Sequence, residues 1–291
     1  MTNFESLMNI NKNEYYFSKL AETKNIVPFV GAGMSFGIFP MWKDWLNGFD
    51  LLEQEKKRLN LLVTNGEYEE AASFLFNLDK RIFIDTVKST FNKNKIKIEN
   101  ISKATKKLPD ITNDIIVTTN LDNIIETIWK YNNFELKVIT PDSTDLLNDA
   151  TQLNNYCLVK LHGSVEESSK YVLTKEQYDA AYGITSEENI DFTRAFPSSL
   201  GKIMVSKTLL FLGCSLKSDR TLHVLNSIMK NFNDHIQHYA FLELSSNAEE
   251  NILTERRLSK YGISVIWFPT NEFEAINILL ENLTQKKNLK A

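Results

Sequence analysis

The sequence predicts an α/β protein with a doubly wound, mainly parallel sheet and a helical insertion. Three observations point there. Short apolar runs of high β-propensity recur along the chain: IVPFV (26–30), DIIVTT (114–119), YCLVKL (156–161), TLLFLG (208–213), HYAFLEL (238–244) and ISVIWF (263–268). Most are apolar continuously rather than alternately, as parallel strands covered on both faces must be. Helical patterns lie between them, and strands alternating with helices build a doubly wound sheet.

Taken in order, the first run contains Pro28, which has no N–H for a ladder. That strand is expected to be irregular there or to lack a partner on one side. Residues 42–108 carry helical periodicity and no convincing strand; YEEAASFLFNLDKRIFIDTVKSTF (68–91) reads as two helices. This stretch is read as a helical insertion within one domain spanning 1–291. Pro40, Trp42 and Trp45 are the apolar residues expected to seat it. Leu108, Pro109 and Asp110 mark the return to the sheet. Later helices are expected over Leu121–Tyr131, from Thr174 with Lys175 and Glu176 in solvent, over Asp219–Phe232, and over Ala248–Tyr261. Gly262 supplies a stop for the last of these.

Composition narrows the function classes. The chain has 291 residues, 43% of them hydrophobic, enough for a substantial core. A net charge of -4 gives no electrostatic reason to expect nucleic acid. No apolar run reaches the 18 or so residues of a membrane span. The first residues, MTNFESLMNINKNEYY, lack the basic-then-apolar order of a signal peptide, so a cytoplasmic protein is expected. The two cysteines, Cys157 and Cys214, sit in apolar runs without paired ligands and are read as buried free thiols. His223, His235 and His238 show no ligand spacing, so no metal is expected.

Four loops follow four of the apolar runs. GAGMS (31–35), NLD (120–122), HGS (162–164) and GCSLKSD (213–219) would all emerge at the carboxyl edge of a parallel sheet. Open α/β sheets bind ligands at that edge. Gly31 and Gly33 would let backbone approach a pyrophosphate, with a following helix start offering N–H donors. A branched side chain at Gly33 would then block the ligand and leave the fold largely intact. The dehydrogenase fingerprint G-x-G-x-x-G fails, because its third position is Phe36 and glycine returns only at Gly37. No G-K-[ST] is present, so a P-loop fails as well. The plainer alternatives are a ligand-free turn at 31–35, a helix-capping role for Asn120 or Asp122, and a turn role for His162.

Taken together, FVGAGMS (29–35), Pro40-x-Trp42-x-x-Trp45-Leu46, VTTNLD (117–122), KLHGSV (160–165) and LLFLGCSLKSD (209–219) resemble the sirtuin-like (silent information regulator) superfamily, in its bacterial anti-phage branch. The resemblance implies a Rossmann-like fold and NAD as ligand. Gly31, Ala32, Gly33 and Ser35 match the loop that holds the NAD pyrophosphate. Thr119-Asn120-Leu121-Asp122 matches the family's Gln-Asn-Ile-Asp, with Asn120 on the catalytic asparagine and Asp122 in the nicotinamide pocket. His162 falls on the catalytic histidine, and Gly213 and Ser215 match the loop at the adenine ribose. The paired cysteines of the deacylating members' zinc module are absent here, and FPMWKDWL stands where they carry Asp-Phe-Arg. The resemblance therefore implies hydrolysis of NAD to nicotinamide and ADP-ribose, as in defence members paired with HerA-type ATPases or short Argonautes. It also implies a homo-oligomer and a separate triggering partner. A protein deacylase, an ADP-ribosyl transferase and a non-catalytic NAD- or ADP-ribose-binding module are the alternatives.

The chemistry suits these residue types. Nicotinamide leaves NAD as a neutral molecule through an oxocarbenium-like transition state, so no general acid is required. An asparagine at 120 would hold the ribose or a water without adding charge. A histidine at 162 with an ordinary pKa of about 6.5 would accept a proton near neutrality and fail below that pH.

Overall fold

The structure is a computed structural model that describes residues 2–112, 114–141, 143, 156–166, 171–184, 189–217, 220–231 and 236–288. Seven strands form one sheet: β1 (Ile26–Val30), β2 (Ile115–Thr118), β3 (Leu136–Ile139), β4 (Tyr156–Lys160), β5 (Thr208–Leu212), β6 (His238–Glu243) and β7 (Ile263–Phe268). Their order is β3-β4-β2-β1-β5-β6-β7 and every adjacent pair is parallel.

The continuous apolar runs feed two cores by alternation. On one face lie Val27, Phe29, Ile115, Val117, Leu209, Phe211 and Val265. On the other lie Ile26, Val30, Ile116, Leu210, Leu212 and Ile266. Helices cover both. Chain order gives α1 (Phe4–Met8), α2 (Asn13–Glu22), α3 (Trp42–Asn47), α4 (Glu53–Asn65), α5 (Tyr68–Leu78), α6 (Lys80–Thr90), α7 (Lys103–Lys106) and α8 (Ile124–Tyr131). They continue with α9 (Lys175–Tyr182), α10 (Ala195–Ser206), α11 (Arg220–Asn231), α12 (Ala248–Ser259) and α13 (Glu274–Asn288). Helices α9 to α12 pack on the first face, and α2, α8 and α13 on the second.

Pro28 sits where its missing donor matters least. β1 pairs with β5 along all five residues, but with β2 only at Phe29 and Val30, beyond the proline. Strand β3 is an unexpected addition. Its sequence LKVI buries only Ile139 and carries Lys137, so it shows neither a full apolar run nor strict alternation. On the far edge, the side-chain amide of Asn13 pairs with β7. Its Nδ2 donates to the Trp267 carbonyl at 2.7 Å and its Oδ1 accepts the Trp267 N–H at 2.8 Å.

Residues 42–108 contain helices and 3₁₀ turns throughout. The part from Trp45 to Val87 has its own core around Trp45, Leu59, Ala72, Leu75, Phe83 and Val87, whereas Ile101, Ala104 and Leu108 join the core on the second face of the sheet. Trp45 packs edge-on against Phe49 and Phe83. That cluster also takes in Leu121, Tyr171 and Leu173, which follow β2 and β4. This helical cluster is therefore seated against the loops at the carboxyl edge of the sheet. Among the described residues, no helix is long and apolar enough to cross a membrane.

Candidate active site

The chain runs outward from β1 in both directions, to β2 on one side and to β5 on the other. The carboxyl ends of these central strands flank a topological switch point, where open α/β sheets place ligands.

The glycines there answer to each other. Gly31 N–H donates to the Leu212 carbonyl and Gly33 N–H to the Gly213 carbonyl, both at 2.9 Å. A Cβ on Gly31 would lie 2.6 Å from Gly213 O, and one on Gly33 would lie 2.8 Å from Gly213 Cα. Gly213 itself has φ +66°, and its Cβ would meet Met34 N at 2.5 Å. The loops after β1 and β5 thus press backbone on backbone. A side chain at Gly33 would disturb the fold itself, contrary to the expectation that it would leave the fold intact. Residues Ala32–Ser35 form one 3₁₀ turn rather than the start of an α-helix. The N–H donors expected from a helix start are reduced to those of this turn.

Ser35 closes that turn and joins it to the β2 loop. Its hydroxyl donates to Asp122 Oδ2 at 2.8 Å and accepts from Asn120 Nδ2 at 2.9 Å. Asn120 Nδ2 also donates to the Gly31 carbonyl at 3.1 Å. Thr118 supports the same loop: its hydroxyl accepts the Asn120 N–H and donates to the Val30 carbonyl. Asp122 Oδ1 accepts the Ile124 N–H at 2.9 Å just ahead of the N-cap Asn123, and α8 starts three residues later than expected. Burial raises the Asp122 pKa above its ordinary value, opposed by the Ile124 N–H, the Lys160 charge and the Ser35 hydroxyl.

Lys160 is a member that sequence reasoning missed. It ends β4 with its side chain fully buried. Its ammonium donates to the carbonyls of Leu121 and Asp122 at 3.1 and 2.6 Å and to Glu126 Oε1 at 2.7 Å. A lysine closing an apolar strand run was the available signal, since a lysine in a core must be paired.

His162 follows one turn past β4. The N–H of Leu161 donates to Thr118 O, and that of Val165 to Leu121 O, binding the two strand-end loops together. The imidazole is buried, and burial lowers its pKa to about 3, against a smaller upward pull from the Thr119 backbone. It is neutral at physiological pH, not poised near 6.5. Nε2 lies 2.7 Å from the Tyr178 hydroxyl of α9, while Nδ1 has no hydrogen-bond partner among the described residues.

The remaining assigned residues are peripheral to this cluster. Thr119 is half-buried and donates its N–H to Val30 O; Ala32 is half-buried, and Ser215 is exposed two residues past Gly213. Asp219 and His235 lie outside the described residues. His238 is buried and accepts the Leu209 N–H at 3.1 Å. Both cysteines are free thiols; Cys157 is buried, whereas Cys214 is only half-buried. No group of three or more metal-ligating side chains occurs among the described residues. Lys175 and Glu176 are exposed as expected, and the Glu176 carboxylate also accepts the Ser73 hydroxyl of α5 at 2.9 Å.

A parallel doubly wound sheet with a glycine loop, an amide, a carboxylate and an imidazole at its switch point defines a Rossmann-like α/β protein. The chain belongs to the SIR2-like domain family, whose model matches residues 114–266. A curated relative, the NAD(+) hydrolase ThsA of Bacillus cereus (strain MSX-D12), is 24% identical over 94% of this chain. The match takes in 56% of that relative, so the chain spans about half its length. A solved SIR2 homologue in complex with NAD aligns over 94% of this chain and 95% of its own, with 12% identity and a TM-score of 0.48.

Proposed function

We propose that this chain hydrolyses NAD at the bond between nicotinamide and ribose, releasing nicotinamide and ADP-ribose. The observation that carries the reading is the buried Ser35–Asn120–Asp122 cluster on the glycine loop, with a buried, neutral His162 just past the end of the neighbouring strand β4. Asn120 and Ser35 would hold the ribose or the attacking water. His162 would take the proton, as a neutral imidazole can, and Asp122 would face the nicotinamide carboxamide. Gly31, Ala32, Gly33 and Ser35 would line the pyrophosphate, with Thr119 beside the nicotinamide and Gly213 and Ser215 at the adenine ribose. The name of the B. cereus relative supports the same substrate.

The setting we propose is anti-phage defence by NAD depletion in the cytoplasm, with the whole chain acting as one domain. Unregulated depletion would harm the host, so activity would depend on homo-oligomerisation or on a separate partner, such as a HerA-type ATPase or a short Argonaute. The test is nicotinamide release from NAD by the purified protein, alone and with the products of neighbouring genes. Binding of NAD without turnover under all these conditions would favour the non-catalytic module. Acyl-peptide-dependent turnover would favour a deacylase.

A further inference from the structure

We propose that Tyr178 is the resting-state partner of His162, its hydroxyl holding the place on Nε2 that a ribose hydroxyl or water must take for reaction. The proposal rests on the hydrolase reading above. The two rings meet edge-on with centroids 5.1 Å apart, and the hydroxyl-to-Nε2 distance is 2.7 Å. Both side chains are buried, at 4% and 7% exposure, so solvent does not compete for the bond.

Nε2 has the Tyr178 hydroxyl as its partner, whereas Nδ1 has none among the described residues. On this proposal the neutral ring's one proton sits on Nδ1, so that Nε2 carries the accepting lone pair and the Tyr178 O–H donates into it. A tyrosine hydroxyl and a sugar hydroxyl are alike as donors, so the substrate meets an occupied base.

The position of Tyr178 is set from the insertion. Helix α9 begins at a capping box between Thr174 and Gln177. Its first turn is tied to α5 through Ser73, whose hydroxyl accepts the Lys175 N–H and donates to Glu176. Withdrawing Tyr178 by shifting α9 therefore strains two bonds to the insertion.

Tyr178→Phe keeps the ring contacts with His162 and Tyr182 and removes only the hydroxyl. The KM for NAD should fall about two- to tenfold, the scale of one neutral hydrogen bond. The gain in kcat/KM should be carried by KM. A fall in kcat at constant KM would make Tyr178 a positioning group for His162 and overturn the proposal, as would constants equal to wild type. A second measurement needs neither the variant nor turnover. Imidazole ¹⁵N spectra of the free full-length protein should show His162 protonated at Nδ1 with Nε2 as a hydrogen-bonded acceptor. A proton on Nε2 would overturn the proposal. Absence of nicotinamide release by wild type would instead count against the hydrolase reading and leave the spectroscopic result standing.

Discussion

The side-chain amide of Asn120 donates to the Ser35 hydroxyl at 2.9 Å, joining loops that are 85 residues apart in sequence. The same amide nitrogen holds the Gly31 carbonyl. One neutral side chain thus fixes the glycine loop against the end of β2. Asn120→Ala should lower kcat by about 100-fold or more if the amide also orients ribose or water. It should also cost about 1–3 kcal/mol of stability, because two buried groups lose a donor. Denaturant titration alongside single-turnover kinetics separates these effects. His162→Ala should cost a similar factor in kcat, and the double variant little more, since groups acting as a unit are not additive. Near-wild-type turnover in His162→Ala would remove the imidazole from the chemistry.

The acid side of the pH profile should not follow an ordinary histidine. With its pKa lowered to about 3, His162 stays neutral well below pH 6.5. The plot of kcat/KM, which reports the free enzyme, should show no His162 inflection near 6.5. An inflection there that vanishes in His162→Ala would contradict the buried, neutral imidazole.

Stability should respond where activity does not. His162 and His238 have folded pKa values lowered by burial to about 3 and about 4, beneath the ordinary 6.5. Each keeps its full contribution above pH 6.5 and loses it as pH falls toward the folded value. The slope is about 1.4 kcal/mol per pH unit for each group within that window. Asp122, with its pKa raised, acts oppositely: its contribution is full below 3.8 and is lost as pH rises through the folded value. Urea midpoints should therefore drop between pH 6.5 and 4, and the drop should shrink in His238→Gln.

Gly33→Val should destabilise the fold as well as weaken NAD binding. Its Cβ would press on Gly213 backbone, which has no flexible end to move. Overpacking of this kind costs about 1–3 kcal/mol. An unchanged thermal midpoint would mean the two loops separate more easily than their contact suggests. Ser35→Ala is the gentler probe of the loop, since it removes one hydroxyl and adds no bulk.

Lys160→Met should lower stability by roughly 3 kcal/mol. It strands Glu126 and leaves the Leu121 and Asp122 carbonyls without their donor. The figure belongs at the lower end of the range because the Glu126 side chain is 20% exposed. Wild-type stability would mean that water replaces the ammonium.

The sheet was legible because the six strands other than β3 are continuous apolar runs, a pattern with few other homes. β3 was not, since an edge strand burying one residue leaves no periodic trace. Loop positions at the carboxyl edge followed from strand direction, so Asn120 and His162 were reached from sequence. Their partners were not. The Ser35–Asn120 bond and the Tyr178–His162 bond depend on how the loops and α9 pack, which no local spacing encodes. The glycines were legible as close-approach sites, but what approaches, the Gly213 backbone, lies some 180 residues away in sequence.

Asn13 has a consequence for how the chain is handled. Its amide stands against Trp267 as the peptide group of an eighth strand would, occupying the outward N–H and carbonyl of a border strand. Trimming the chain to begin at Ile26 would strip that mimic and uncover the apolar edge strand β7. Exposed borders of this kind recruit strands from other molecules. The trimmed protein would self-associate through β7 and mimic a genuine oligomer in light scattering. Assembly is therefore best measured on the chain with its first 25 residues in place.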